Sequence, residues 1–395
     1  MIRVNPALAS TFSPPVMEAR RWLEGVTFPP DRPLINVSQA APAVPPPDGL
    51  RRALADAALN DDSAHLYGPV LGNADLRQAL AEDWSAFYRA PVAAENIAIT
   101  QGCNQAFCAV ISALVGRGDH VLLPAPWYFN HKMWLDMTGL HAVPLPCDDA
   151  MLPDPQRARG LVTDRTRAIV LVTPNNPSGA EYPPALIHAF YDLAREHGLA
   201  LILDETYRDF HAASSPDLGS PHDLLADPDH GDTLVQLYSF SKSYRLTGHR
   251  VGAIVAAAPL MTQIEKWLDT VSISASQMGQ IGALYGIRHL SDWLVAERDE
   301  ILRRGAACRQ VLGALPGWRL KSSGAYFAWV EHPFDDSSAD IAPRLVRDAG
   351  VLALPGTMFM PDGDPQGPRH FRIAYANADA DGIAALGQRL SQFRG

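Results

Sequence analysis

The chain predicts an α/β fold in which a mostly parallel sheet is covered by helices on both faces and a smaller α+β domain follows towards the C-terminus. Three observations carry this expectation. Apolar runs at 97–100, 119–123, 168–173, 199–203, 233–238 and 251–255 alternate with helical stretches from about residue 50 to 285. That alternation belongs to strands joined by crossover helices, with both sheet faces covered. Several runs are apolar throughout, as parallel strands buried on both faces require. With 395 residues, 47 % of them hydrophobic, the chain can also bury a sizeable core and fill two domains.

Taken in order, the first 45 or so residues read as irregular, with one short amphipathic helix around VMEARRWLEG (16–25). PAVPPPDG (42–49) reads as a stiff, extended connector. A large domain is expected over 46–288. Two long helical patterns follow the alternating strands, SASQMGQIGALYGI (274–287) and DWLVAERDEILRRGAACRQVL (292–312), and the second bridges into a small domain. That domain is assigned residues 289–395 together with the arm 1–45, with GAYFAWVE (324–331) and HFRIAY (370–375) as its strands.

Composition excludes several classes. Net charge is −10 and no basic run offsets it, which argues against nucleic acid as a partner. Cys103, Cys108, Cys147 and Cys308 lack regular spacing, so reduced thiols are expected and no metal cluster. The amino terminus MIRVNPALASTF has no signal-peptide core, and no apolar run is long enough to span a membrane. A cytoplasmic protein is expected, with no membrane partner.

Chemistry concentrates in SFSKSYRLTGHR (239–250). Ser239 and Arg250 bracket one lysine, Lys242. A guanidinium suits a dianionic phosphate because its planar fork donates in pairs and stays charged. A lysine whose pKa is lowered by burial and neighbouring cations can form an imine with an aldehyde. Phosphate and aldehyde on one molecule describe pyridoxal phosphate. In LALILDETY (199–207) an apolar strand ends in Asp204, at the carboxyl end where open α/β sheets bind ligands. A carboxylate there can keep a pyridine nitrogen protonated, although a strand-end Asp can equally cap a helix. Tyr207 follows three residues on and could hydrogen-bond the ring's phenolate oxygen. AIVLVTPNNPSG (168–179) places Asn176 in a turn completed by Gly179, where its amide could reach the same oxygen. NIAITQGCNQAF (96–107) feeds a strand into a helix through Gly102, aiming the amides of Gly102, Cys103 and Asn104 at an anion.

With PNNPSG, DETY, SFSKSYRLTGHRVG and FRIAYAN (371–377) in this order, nearly the whole chain resembles the class I, fold-type I pyridoxal-phosphate aminotransferases, the aspartate and kynurenine aminotransferases among them. The resemblance implies a seven-stranded-type sheet and a homodimer with shared sites. It implies that Lys242 is the Schiff-base lysine and proton shuttle, Asp204 the pyridinium partner, and Tyr207 and Asn176 the phenolate donors. Ser239, Arg250 and the Gly102–Asn104 turn become the phosphate cup, and Arg372 the clamp on the substrate carboxylate. In PWYFNHK (126–132), Tyr128 matches the ring-stacking aromatic and His131 the support of Asp204. Tyr67, in LYGPVLGNADLR (66–77), matches a tyrosine that reaches the neighbouring subunit's phosphate. INVSQAAP (35–42) resembles the loop bordering the substrate, which places Ala40 and Asn176 beside it.

Three positions depart from the pattern. Ala40 stands where glycine is usual and is expected to narrow the pocket or shift the loop. Cys103 replaces a Ser, Thr or Ala, with its backbone amide still serving. Tyr128 stands where some members carry Trp, which keeps the stacking. Trp127 reads as packing at the pocket edge. The implied reaction is transamination between an amino acid and a 2-oxo acid by a ping-pong mechanism. A β-eliminating lyase on the same fold remains the alternative, and a regulatory protein with a silent pocket is opposed by the intact Lys242, Asp204 and Arg372. Arg288 is a candidate for a distal substrate carboxylate but reads equally as an exposed helix residue. Trp127, Tyr128 and Tyr67 near the expected mouth favour neutral or aromatic side chains.

Overall fold

The computed structural model describes residues 2–212 and 220–395. The seven strands of the main sheet are β1 (Ile97–Thr100), β2 (His120–Ala125), β3 (His141–Pro146), β4 (Thr166–Val172), β5 (Ala200–Asp204), β6 (Leu234–Ser239) and β7 (Gly252–Val255). Their spatial order is β1-β7-β6-β5-β4-β2-β3. All are parallel except β7, which runs antiparallel between β1 and β6. The sheet is therefore mostly parallel, as expected from the apolar runs.

β3 is absent from the sequence reading. Its segment HAVPLP carries Pro144 and Pro146, which argue against a strand, and its only sheet neighbour is β2. An edge position explains the tolerance, because prolines there leave no internal ladder bond unmade. Alternate residues of the central strands serve opposite faces. Ile169, Leu171, Leu201 and Leu203 join a core with Trp84 and Tyr88 of the helix Ala74–Tyr88. Val170, Ile202 and Leu237 join another with Phe107, Val110 and Ile111 of the helix Cys103–Leu114. The period-2 pleat turns each strand into a wall of two cores.

The amino-terminal arm holds two short helices where one was expected, Pro6–Ser10 and Pro15–Arg21, the second shorter than the pattern over 16–25. The later helices run over Gln277–His289 and Ser291–Gly313, close to the expected patterns. A second, antiparallel sheet contains β8 (Arg319–Gly324), β9 (Phe327–Glu331), β10 (Leu354–Pro355) and β11 (His370–Ile373), ordered β10-β11-β9-β8. The single strand expected over 324–331 is instead the junction of β8 and β9. They turn at Ala325 and Tyr326, Ala325 having a φ of 44°. The amino-terminal segment returns to this part of the molecule, where Ile35–Asn36 pairs in parallel with Val351–Leu352. That pairing carries residues 38–41 across to the carboxyl ends of β4, β5 and β6.

Candidate active site

Register places Val172 of β4 opposite Asp204 of β5, and Asp204 opposite Leu237 of β6. Three parallel strands thus end together, and a cavity of about 330 Å³ opens above them. Its lining includes Lys242, Asp204, Tyr207, Asn176, Ser239, Arg250 and Arg372. Cys103, Asn104, Tyr128 and Ala40 line it too. Residues as far apart in sequence as Ala40 and Arg372 therefore converge on one space.

Lys242 sits in the short helix Phe240–Ser243 that follows β6 at once, capped by Ser239 Oγ accepting from Ser241 N at 3.2 Å. Its Nζ donates to the Ala40 carbonyl. The residue is half-buried and lines the cavity. Burial first, then the nearby Arg250 and Arg372 charges, lower its pKa to about 7. A free amine is therefore abundant near neutral pH. Imine formation with a small aldehyde should accelerate as pH rises through about 7 and level off above it. A lysine at its ordinary pKa would still be accelerating near pH 10, so stopped-flow rates against pH separate the two cases.

Asp204 is buried, with Oδ1 accepting from Thr206 N at 3.0 Å and Oδ2 lying 3.2 Å from His131 Nε2. The second contact is an ion-pair distance and not an aligned hydrogen bond. Burial alone would raise the carboxyl pKa, but His131 and Thr206 outweigh it and hold Asp204 below its usual value. The His131 ring is fixed by stacking on Phe107 at 3.8 Å between centroids and by the edge of Tyr128 at 5.0 Å. Tyr128 accepts from Asn130 Nδ2 at 2.9 Å and donates to Asn104 Oδ1 at 3.1 Å, which anchors its ring at the cavity wall.

Gly102 precedes the helix Cys103–Leu114 with a φ of +85°, and a Cβ there would lie 2.3 Å from Arg250 Nη2. Only glycine allows that backbone geometry and the guanidinium together. Arg250 also donates to Thr247 O at 3.0 Å and to Ser241 Oγ at 3.4 Å. A helix N-terminus, a guanidinium and two serine hydroxyls so converge, a donor set that fits a phosphate.

Arg372 is 2 % exposed. Nη1 donates to Asn176 Oδ1 at 2.8 Å, Nη2 donates to the Ser38 carbonyl, and Nε has no partner. Phe359, Phe327 and Phe129 surround the guanidinium at 4.8, 5.1 and 5.9 Å. Removal from water lowers its pKa to about 10, still well into the charged range at neutral pH. A buried cation without a carboxylate is costly and marks a place for an anionic ligand. Because Asn176 accepts from Arg372, its amide nitrogen is left to donate into the cavity.

Tyr67 is 80 % exposed and does not line this cavity. Arg288 is likewise exposed and away from it. Trp127 is buried in the core around Phe107, a packing residue. Ser241, Thr206, Gln39 and Val16 line the cavity without having been singled out in the sequence. Ser241 lies inside the lysine motif and could have been read from it. Val16 could not, since nothing local ties the amino-terminal helix to this space.

A lysine amine and two guanidinium groups lining one cavity, at the carboxyl edge of a mostly parallel sheet, have the chemistry to form an imine with an anionic carbonyl compound. Comparison with known proteins narrows the class. Residues 32–390 match the family "Aminotransferase class I and II", and the chain belongs to that family. It is 31 % identical over 299 residues to the arginine–pyruvate transaminase of Pseudomonas aeruginosa, covering 75 % of each chain. It is 29 % identical over 350 residues to the aspartate/prephenate aminotransferase of Thermus thermophilus, covering 86 % of this chain and 84 % of that one. A solved Escherichia coli structure titled for its methionine aminotransferase function shares the fold, with a TM-score of 0.88 at 24 % identity over the full length of both. The protein is an aminotransferase with the fold-type I architecture.

Proposed function

We propose that this aminotransferase uses pyridoxal 5'-phosphate, bound covalently by Lys242, to move an amino group between an α-amino acid and a 2-oxo acid. The observation that carries the proposal is the Lys242 amine sharing one cavity with the strand-end carboxylate of Asp204 and the buried cation of Arg372, which has no carboxylate partner. The residues present fit the group. Gly102, Cys103 and Asn104 amides, Ser239 and Arg250 would hold its phosphate; Asp204 would pair with its ring nitrogen; Tyr207 and Asn176 would donate to its phenolate oxygen; Tyr128 would stack on its ring. When bound, pyridoxal phosphate supplies an aldehyde carbon that takes up the amino group and a ring that accepts the electrons released at the substrate α-carbon. Arg372 takes the substrate carboxylate in place of the Ser38 carbonyl, orienting the α-carbon towards Lys242. Lys242 Nζ would be the base that takes the α-proton and holds it for return. Asp204, kept charged by His131 and Thr206, would be the partner of the ring nitrogen.

Among the described residues, the cations lining the cavity are Lys242, Arg250 and Arg372, each with a role in this scheme. Val16, Gln39, Phe129 and Asn130 remain for the substrate side chain, and none is charged. Neutral donors should therefore outrun aspartate by about 10-fold or more in kcat/KM, because these residues offer no cation to a second carboxylate. The test is to add single amino acids to the purified, cofactor-loaded protein without acceptor and follow the visible absorbance. Loss of the visible band with neutral donors, then recovery on adding a 2-oxo acid, is expected, with parallel double-reciprocal lines in steady state. Release of pyruvate and ammonia from a cysteine conjugate without acceptor, or faster reaction with aspartate, would overturn this reading.

A homodimer in the cytoplasm completes the proposal. Tyr67 stands out from its own subunit, as a residue serving a neighbour's phosphate must, and its neighbour Leu66 is 66 % exposed. Co-refolded Lys242→Ala and Tyr67→Ala chains should regain activity beyond the sum of the two, because the hybrid contains one site free of both changes. No gain on mixing would remove Tyr67 from the shared site.

A further inference from the structure

We propose that Cys103 is a positioning residue whose thiol donates to one oxygen of Asp204 and so reserves the other for the cofactor's ring nitrogen. The inference rests on the cofactor reading above. A carboxylate offers about four lone-pair sites, two on each oxygen. Oδ1 already accepts from Thr206 N at 3.0 Å, and Cys103 Sγ lies 3.6 Å from the same atom. Both sites on Oδ1 are then filled. Oδ2 has only the unaligned contact with His131 at 3.2 Å, so it stays open to a donor from the cavity that Asp204 lines.

The thiol is placed by the phosphate-binding turn itself. Gly102 ends the loop and Cys103 is the first residue of the following helix, 8 % exposed, with its side chain turned back to the end of β5. Burial and the Asp204 charge both keep this thiol protonated, so it stays a donor. One residue thereby serves two parts of the site, its amide the phosphate and its S–H the carboxylate.

Two measurements test the assignment. The first needs no cofactor: the S–H stretch of Cys103, isolated as the infrared difference between wild type and Cys103→Ala apoprotein, should move to higher frequency in the Asp204→Ala background. A band that stays in place overturns the contact. The second is the pH titration of the bound cofactor's visible absorbance. Its midpoint should move by roughly half a pH unit in Cys103→Ala, the order that a hydrogen bond to a charged acceptor allows, and should return in Cys103→Ser. Wild-type midpoints in all three proteins would leave Cys103 as packing only and overturn the positioning role. Failure of the wild-type protein to take up pyridoxal phosphate would defeat the functional reading and this role with it; the infrared band tells that failure from a missing contact.

Discussion

Replacing Lys242 with alanine is expected to lower kcat by roughly 10⁴-fold, because one side chain supplies both the covalent anchor and the proton transfer. The cofactor should still bind, since the phosphate donors at Gly102–Asn104, Ser239 and Arg250 do not depend on the amine. The protein would then carry pyridoxal phosphate that dialysis removes, and borohydride would leave no mass increment on the chain. Folding should be undisturbed. A neutral amine hydrogen-bonded to a single carbonyl contributes little, and the Ala40 carbonyl can bind water once the side chain is gone. Activity within about 10-fold of wild type would remove Lys242 from the reaction.

Arg372→Met should separate activity from stability. Loss of the carboxylate clamp is expected to lower kcat/KM for amino acids by about 10³-fold, roughly 4 kcal/mol, within the range for truncating one partner of a buried charged contact. The fold is expected to lose little. The substitution leaves Asn176 Oδ1 and the Ser38 carbonyl without their donor, which destabilises. It also removes a buried cation that has no carboxylate partner and places a flexible thioether against three phenylalanines, which stabilises. The melting temperature of the ligand-free protein should therefore stay within roughly 3 °C of wild type. A fall of about 10 °C or more in the ligand-free protein would assign Arg372 a structural role instead.

Both predictions depend on a site whose components are distributed over the chain. Local signals identified much of it. Strand-end placement of Asp204, the Ser239–Lys242–Arg250 spacing and the Gly102 helix start each have a chemical reason within a dozen residues. The resemblance to aminotransferases then supplied Arg372, Tyr128, His131 and Tyr67, for which no such local reason exists. β3 escaped notice because its prolines are forbidden in a sheet interior, and nothing in HAVPLP says that the strand lies at an edge. The hairpin within 324–331 was hidden for a related reason: a continuous apolar run with no Asn-Gly or Asp-Gly signal does not announce a two-residue turn.

What the amino-acid order decides on its own is the pattern of alternation that sets the α/β class, together with the chemical types gathered in each motif. Hydrophobic periodicity and turn chemistry act over a few residues, so they can be read along the chain. Tertiary structure decides which of those motifs meet. The amine of Lys242 reaches Ala40, and Arg372 reaches Ser38, because Ile35–Asn36 pairs with Val351–Leu352 and carries the amino-terminal segment over the strand ends. The lowered pKa of Lys242, the unpaired Nε of Arg372 and the thiol at Asp204 arise only there. Desolvation and the fields of neighbouring charges depend on distance through space, and chain order does not specify that distance.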